Sequence, residues 1–291
     1  MTDEIRAARA ALHMWEEPCL SGTRGSGAVF FSGCPLGCLF CQNRPIALGT
    51  AGQAVTVERL AEIFLELQSR GAHNVNLVTP THFVPSIIEA VGMARRGLFA
   101  SEDGAMRPDG KTGLQPLSIP VVYNTGSYEC PETIRSLKGT VDVFLPDLKY
   151  DDPALAERLC RAPDYFETAR ASIEEMVKLA GPPVFDDEGM LQRGVIVRHL
   201  ILPGHTHDAI RILRYLNETY GNDILISIMN QYTPMTDAAP DLPPELRRRL
   251  TRRELGRVID AALAMGIKGA YYQEGETAKE SFIPAFDGEG L

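Results

Sequence analysis

The stretch AVFFSGCPLGCLFCQN, residues 28–43, runs from an apolar segment directly into three cysteines, Cys34, Cys38 and Cys41. The chain has six cysteines, so half of them stand within eight residues. A spacing of four and then three would put the thiols on one face of an α-helix, as small apolar side chains. Pro35 lacks an amide donor and Gly37 is costly inside a helix, so both favour a loop folded tightly around something. A structural zinc site usually takes four protein ligands, commonly as paired Cys-x-x-Cys, and no fourth ligand is evident nearby. Iron-sulfur clusters take thiolates as their usual ligands, and three of them leave one iron of a 4Fe-4S cube open to a reactant. Buried thiols and zinc stand as the alternatives to that reading.

Outward from this loop, short apolar runs alternate with segments of helical periodicity. The expected strands are AVFFS, NVNLV (74–78), IPVVYN (119–124), VDVFLP (141–146), GVIVRHLIL (194–202), DILISIM (223–229) and KGAYYQ (268–273). Amphipathic helical stretches such as TVERLAEIFLELQSRG and HDAIRILRYLNETYG lie between them. Strand-helix alternation implies parallel strands with crossover helices. The expected fold class is α/β: a single-domain, partial (open) TIM-like (β/α)6 barrel, residues 21–291, preceded by an N-terminal helical extension over 1–20. In such a barrel the loops after the strands share one face and build the site. The polar, Gly- and Pro-rich stretch at 98–118 reads as a surface insertion, and PPVFDDEGMLQRGV as a hairpin leading into the fifth strand.

With 291 residues, 44% of them hydrophobic, the chain can bury a large core. A net charge of −9 and a pI near 5.3 argue against a surface built to neutralise phosphates, so nucleic acid is not an expected partner. No apolar run approaches the roughly 18 residues of a membrane span, and the acidic start does not read as a signal peptide. A cytoplasmic location without membrane contact is the expectation. Free thiols in that compartment suit metal or redox chemistry better than a disulfide scaffold.

Cys-x-x-x-Cys-x-x-Cys after a first strand, with Phe40 before the last cysteine, resembles the signature of radical S-adenosylmethionine (SAM) enzymes. SGTRGSGAVFFSGC, NLVTPTHFVPSI, VVYNTGSYE, FLPDLKY, RHLILPGH, MNQYTP and QEGETAKESFIPAFD resemble the pyruvate formate-lyase activating-enzyme-like subgroup, over about residues 8–287. The resemblance implies that Cys34, Cys38 and Cys41 hold a 4Fe-4S cluster whose open iron binds S-adenosyl-L-methionine. It implies cofactor contacts by Thr79, Thr81 and His82, where relatives have a Gly-Gly-Glu-like stretch, and by Asn124, Thr125, Asp147, Lys149 and Arg198. Lys149 and Arg198 are also the candidate catalytic residues. A monovalent cation is implied near Asn124, where an acid is common in relatives.

Other readings compete at several of these positions. Thr81 could cap a strand-to-helix turn, Asp147 and Lys149 could form a surface pair, and Arg198 could belong to an ion pair inside the barrel. His199, His205 and His207 read as strand and loop residues rather than metal ligands, and Cys19, Cys130 and Cys160 as packed or incidental thiols. The arginine-rich RRRLTRREL, residues 247–255, reads as a solvated helix start. The implied activity is reductive cleavage of S-adenosylmethionine to install a glycyl radical on a partner enzyme. A one-electron donor such as flavodoxin or ferredoxin is the other implied partner. Action on a small molecule or another macromolecule, and a non-catalytic iron-sulfur or metal-binding module, are the alternatives.

Overall fold

The computed structural model describes residues 4–100, 106–108, 114–235, 239–268, 270–272 and 284–291. Its strands are β1 (Ile5–His13), β2 (Ser26–Phe31), β3 (Gln53–Val55), β4 (Val75–Val78), β5 (Leu98–Ala100), β6 (Met106–Pro108), β7 (Val121–Thr125), β8 (Val143–Pro146), β9 (Val184–Phe185), β10 (Leu191–Leu200), β11 (Leu225–Met229) and β12 (Ala270–Tyr272). They alternate with helices α1 (Pro18–Ser21), α2 (Arg44–Ala47), α3 (Val57–Ser69), α4 (Val84–Arg96), α5 (Pro131–Ser136), α6 (Pro153–Cys160), α7 (Tyr165–Ala180), α8 (Thr206–Tyr220) and α9 (Arg252–Ala264). Among the described residues, β2, β4, β7, β8, β10, β11 and β12 pair in that order, all in parallel. The sheet does not close on itself: β3 and β12 end the path. It is an open α/β barrel of six strand-helix units and a last strand.

Alternation along each strand sorts the side chains. Val29, Phe31, Val75 and Leu77 point outward, where Leu60, Phe64, Ile87 and Val91 of α3 and α4 cover them. Tyr123, Phe144, Val195 and Val197 pack on the helices that follow β7, β8 and β10. Their neighbours in sequence, Val122, Val143, Leu145 and Ile196, point inward. Helix ends are set locally: the Thr56 hydroxyl accepts from the Arg59 amide at 3.1 Å. At the start of α9, Thr251 and Glu254 form a reciprocal capping box within the arginine-rich stretch, and Arg248 pairs with Glu254.

The N-terminus departs from the helical expectation. Residues 5–13 form β1, antiparallel to β2, with Ala10 opposite Val29 and His13 opposite Ser26. Alanine favours helix in isolation, but here Ala7 and Ala10 face α3 while Ala8 faces the barrel interior, so the small side chains let β1 bury both faces. Tertiary packing outweighs propensity. The following turn leads into α1, whose Cys19 and Leu20 insert among Val122, Val143, Leu145 and Ile196 and fill the base of the barrel.

The hairpin before the fifth parallel strand is present, with Phe185 opposite Leu191. Within the 98–118 insertion β5 and β6 pair antiparallel, and residues 101–105 and 109–113 lie outside the described residues. So do residues 273–283, most of the QEGETAKESFIPAFD ending. The tail beyond it returns to β1: the Ala10 amide donates to Glu289 O at 2.8 Å, Arg9 pairs with Asp287 and Glu289, and Phe286 meets Phe30 edge to face. No described helix is long and apolar enough to cross a membrane.

Candidate functional site

The loop after β2 folds back over the barrel mouth. The Gly33 amide donates to Ile46 O and the Cys34 amide to Ala47 O, tying the loop to α2, while the Leu39 amide donates to Leu159 O at the end of α6. Gly37 has φ of +54°, which favours a residue without Cβ. Cys34, Cys38 and Cys41 all line one cavity of about 260 Å³, whereas Cys19, Cys130 and Cys160 do not. Among the described residues no three His, Cys, Asp or Glu side chains gather closely enough for a single metal ion. Three thiols on one cavity are compatible with thiolates that each take a different iron of a larger group.

The three thiols differ electrostatically. A hydrogen bond from Cys160 lowers Cys38 to about 7 against the opposing effect of burial, with Lys149 and Tyr150 helping. Burial pushes Cys41 up to about 12, and also raises Cys34. Of the three, Cys38 ionises most readily.

Opposite the loop, the inward strand ends of β4, β7, β8 and β10 bring Thr79, Asn124, Thr125, Asp147, Lys149 and Arg198 to the same cavity. Asp147 bridges to Arg198 through the backbone as well, and its amide donates to Thr125 O. Arg198 is the hub: Nε donates to Asp147 Oδ1 at 2.9 Å, Nη1 to Glu16 Oε2 at 3.2 Å and Nη2 to Asn124 Oδ1 at 2.7 Å. Lys149 Nζ donates to the other oxygen of Asp147 at 2.5 Å. Burial opposes ionisation of Asp147, yet Arg198 and Lys149 hold its carboxyl below the ordinary value. The ion pair that competes with a cofactor role for Arg198 is present, and the same guanidinium still lines the cavity.

Thr79 has φ of +58°, an uncommon conformation for a β-branched residue, and its amide donates to Asn124 O at 2.9 Å. Backbone strain of this kind concentrates at functional sites. The chain then turns away, so Thr81 and His82 do not line the cavity. Thr81 donates its hydroxyl to Glu129 Oε1 at 2.7 Å instead of capping a helix, and His82 packs beside Gly33. His199 faces away from Arg198, and its Nδ1–H donates to Leu148 O at 2.7 Å. His205 adjoins Glu245 at the start of α8, beside an exposed His207, outside the cavity.

Three residues that matter here were not singled out from sequence, and a fourth, Cys160, was read there only as a packed or incidental thiol. Glu16 reaches into the barrel from the turn before α1, accepting from both Arg198 and Asn76. Burial raises its carboxyl despite Arg198. Glu129 is 3% exposed, and its Oε1 accepts from Thr81, Thr125 and Tyr123, linking the ends of β4 and β7. Tyr150 and Cys160 flank Cys38. The only signals were acids next to apolar segments, EEP and SYEC, and an aromatic four residues after the end of a strand motif.

The chain is similar to known proteins in sequence and in fold. An uncharacterized protein of Methanocaldococcus jannaschii is 27% identical over 261 residues, 86% of this chain and 65% of its own length. The chain therefore spans about two-thirds of that relative. The crystal structure of Streptococcus suis SuiB bound to the precursor peptide SuiA superposes with a TM-score of 0.51 at 14% identity, covering 83% of this chain and 46% of that one, a likeness of fold. The sequence profile of the Radical SAM superfamily matches residues 28–216, from β2 with its cysteine loop into α8. That match takes in all three clustered thiols and Arg198 and extends over well more than half of the sequence, and the chain belongs to the radical SAM superfamily.

Proposed function

We propose that this protein cleaves S-adenosyl-L-methionine reductively and uses the resulting radical to take a hydrogen atom from a glycine Cα in a partner protein, as an activating enzyme. The observation that carries the reading is the convergence of Cys34, Cys38 and Cys41 with Asn124, Asp147, Lys149 and Arg198 on one cavity. When the site is loaded, the chemistry supplied there is one-electron transfer from a reduced 4Fe-4S cluster to the sulfonium, giving methionine and a 5′-deoxyadenosyl radical. The chain's own residues bind and orient. Arg198 and Lys149 offer positive charge to the carboxylate of the methionyl group, while Asn124, Thr125 and the strained Thr79 offer oxygens to its ammonium. Asp147 fixes the two cations in place. Phe30, Val78, Leu200 and Met229 supply apolar walls that limit water around a reactive radical.

Hydrogen transfer from glycine then leaves 5′-deoxyadenosine and a glycyl radical. A peptide segment as the target is supported by the fold likeness to SuiB, whose structure holds a precursor peptide, and by an open-sided barrel that admits a loop. The electron comes from a low-potential one-electron donor such as flavodoxin or ferredoxin. The test is anaerobic reconstitution, assay of iron and sulfide, then dithionite with S-adenosylmethionine and quantification of 5′-deoxyadenosine. Alanine at Cys34, Cys38 or Cys41 is expected to abolish cluster and product, whereas changing Cys19 and Cys130 together leaves both. Equal loss in the second set refutes the ligand assignment, and absence of a glycyl radical signal on candidate partners refutes the activase reading.

A further inference from the structure

Tyr150 follows Asp147, Leu148 and Lys149 on the strand-end segment that builds the cavity, yet it points away from solvent altogether, at 0% exposure. Its ring is held by Tyr165 at 5.2 Å and Phe40 at 6.4 Å, both edge to face. A buried hydroxyl needs an acceptor, and the partner of this one is a sulfur: the O–H donates to Cys38 Sγ at 3.8 Å. Cys160 lies on the same sulfur, but its thiol hydrogen also has a backbone acceptor, Ala156 O at 3.1 Å. Backbone amides of Leu36 and Gly37 serve Cys34, and that of Asn43 serves Cys41. Cys38 thus differs from the other two loop cysteines in receiving a phenol donor.

We propose that Tyr150 is a positioning and tuning residue for the cluster: its hydroxyl stabilises electron density on the Cys38 sulfur and so makes the bound cluster easier to reduce. Hydrogen bonds to ligand sulfurs are among the levers that set such potentials, because added negative charge on the reduced cluster is shared with the sulfurs and met by the donor dipole. The redox step is the gain of one electron by the cluster from an external one-electron reductant, with no proton or bond change at Tyr150. The inference rests on the cluster reading above, but the two fail separately.

The experiment is a potentiometric titration of the reconstituted protein, with the reduced cluster read by electron paramagnetic resonance. Tyr150→Phe keeps the ring between Phe40 and Tyr165 and removes only the donor. It is expected to lower the reduced-to-oxidised ratio at fixed poise about 5-fold, from a net hydrogen-bond value of about 1 kcal/mol. That is a shift of about 40 mV to more negative potential, at 59 mV per tenfold for one electron. Tyr150→3-fluorotyrosine, a stronger donor of nearly the same size, is expected to shift it the other way. An unchanged or more positive potential in Tyr150→Phe, with iron and sulfide at the wild-type level, overturns the proposal. So does an unmoved potential in the fluorinated variant, including the case where Tyr150→Phe fails to retain the cluster. Wild-type protein that holds no iron and sulfide would instead overturn the cluster reading itself.

Discussion

Replacing Arg198 by methionine keeps most of the stem and removes the guanidinium, with its hydrogen bonds to Asp147, Glu16 and Asn124 at 2.9, 3.2 and 2.7 Å. The two carboxylates are 16% and 10% exposed, so water replaces the lost partner poorly. Breaking a buried pair by deleting one member costs about 3–5 kcal/mol. Lys149 still neutralises Asp147, so the groups left without their cation are Glu16 and the neighbouring buried Glu17, and the expected loss is near the low end, about 3 kcal/mol. Burial already raises the Glu16 carboxyl above its ordinary 4.5, and without Arg198 it rises further.

The sign of the pH dependence follows. The unfolded chain releases this proton near 4.5, while the folded variant retains it, so the deficit grows as pH rises above 4.5 toward the raised folded value. The slope is up to about 1.4 kcal/mol per pH unit. Urea unfolding followed by circular dichroism between pH 5 and 8, under reductant and without oxygen, measures both quantities. Adding Glu16→Gln removes the titrating group while retaining the contact to Asn76. The double variant is therefore expected to recover about 2 kcal/mol and to show a reduced slope, the rest coming from Glu17. A loss below about 1 kcal/mol, or one that Glu16→Gln does not relieve, refutes the view of Arg198 as the hub of a buried charge layer.

Two further outcomes are expected. Burial lowers His199 to about 4 from 6.5, so its share of stability is present above 6.5 and is lost as pH falls toward 4. It amounts to about 3 kcal/mol. His199→Asn, which keeps a donor for Leu148 O, should flatten urea midpoints across that window, and an unchanged acid limb would show that another group is responsible. Glu129→Gln retains an acceptor for Thr81, Thr125 and Tyr123 and should change stability by less than about 1 kcal/mol, whereas Glu129→Ala strands three hydroxyls and should cost about 3 kcal/mol. Thermal unfolding distinguishes them, and equal effects would mean that the hydroxyls find other acceptors.

The parallel strands were legible because alternation of inward and outward residues is local: Val122 and Asn124 face in while Tyr123 faces out, and the pattern shows in the letters themselves. The cysteine loop was legible for the same reason, since Pro35 and Gly37 both oppose a helix within the motif. What escaped is made of contacts at long separation. Glu16 meets Arg198 across 182 positions and Tyr150 meets Cys38 across 112, and nothing near either residue signals the partner. At β1 the local signal was misleading: an alanine-rich segment has helical propensity, and only docking against β2 and α3 makes it extended.

Helix α1 has a kinetic consequence. With Cys19 and Leu20 wedged among Val122, Val143, Leu145 and Ile196, the floor beneath the charge layer is sealed. A vessel stoppered below fills and empties through its upper opening and open flank, so a small reactant held at the charge layer would lie beneath any bulky target docked at the mouth. On the proposed activity, a target docked first would hinder its entry, and a target still docked would slow its exit.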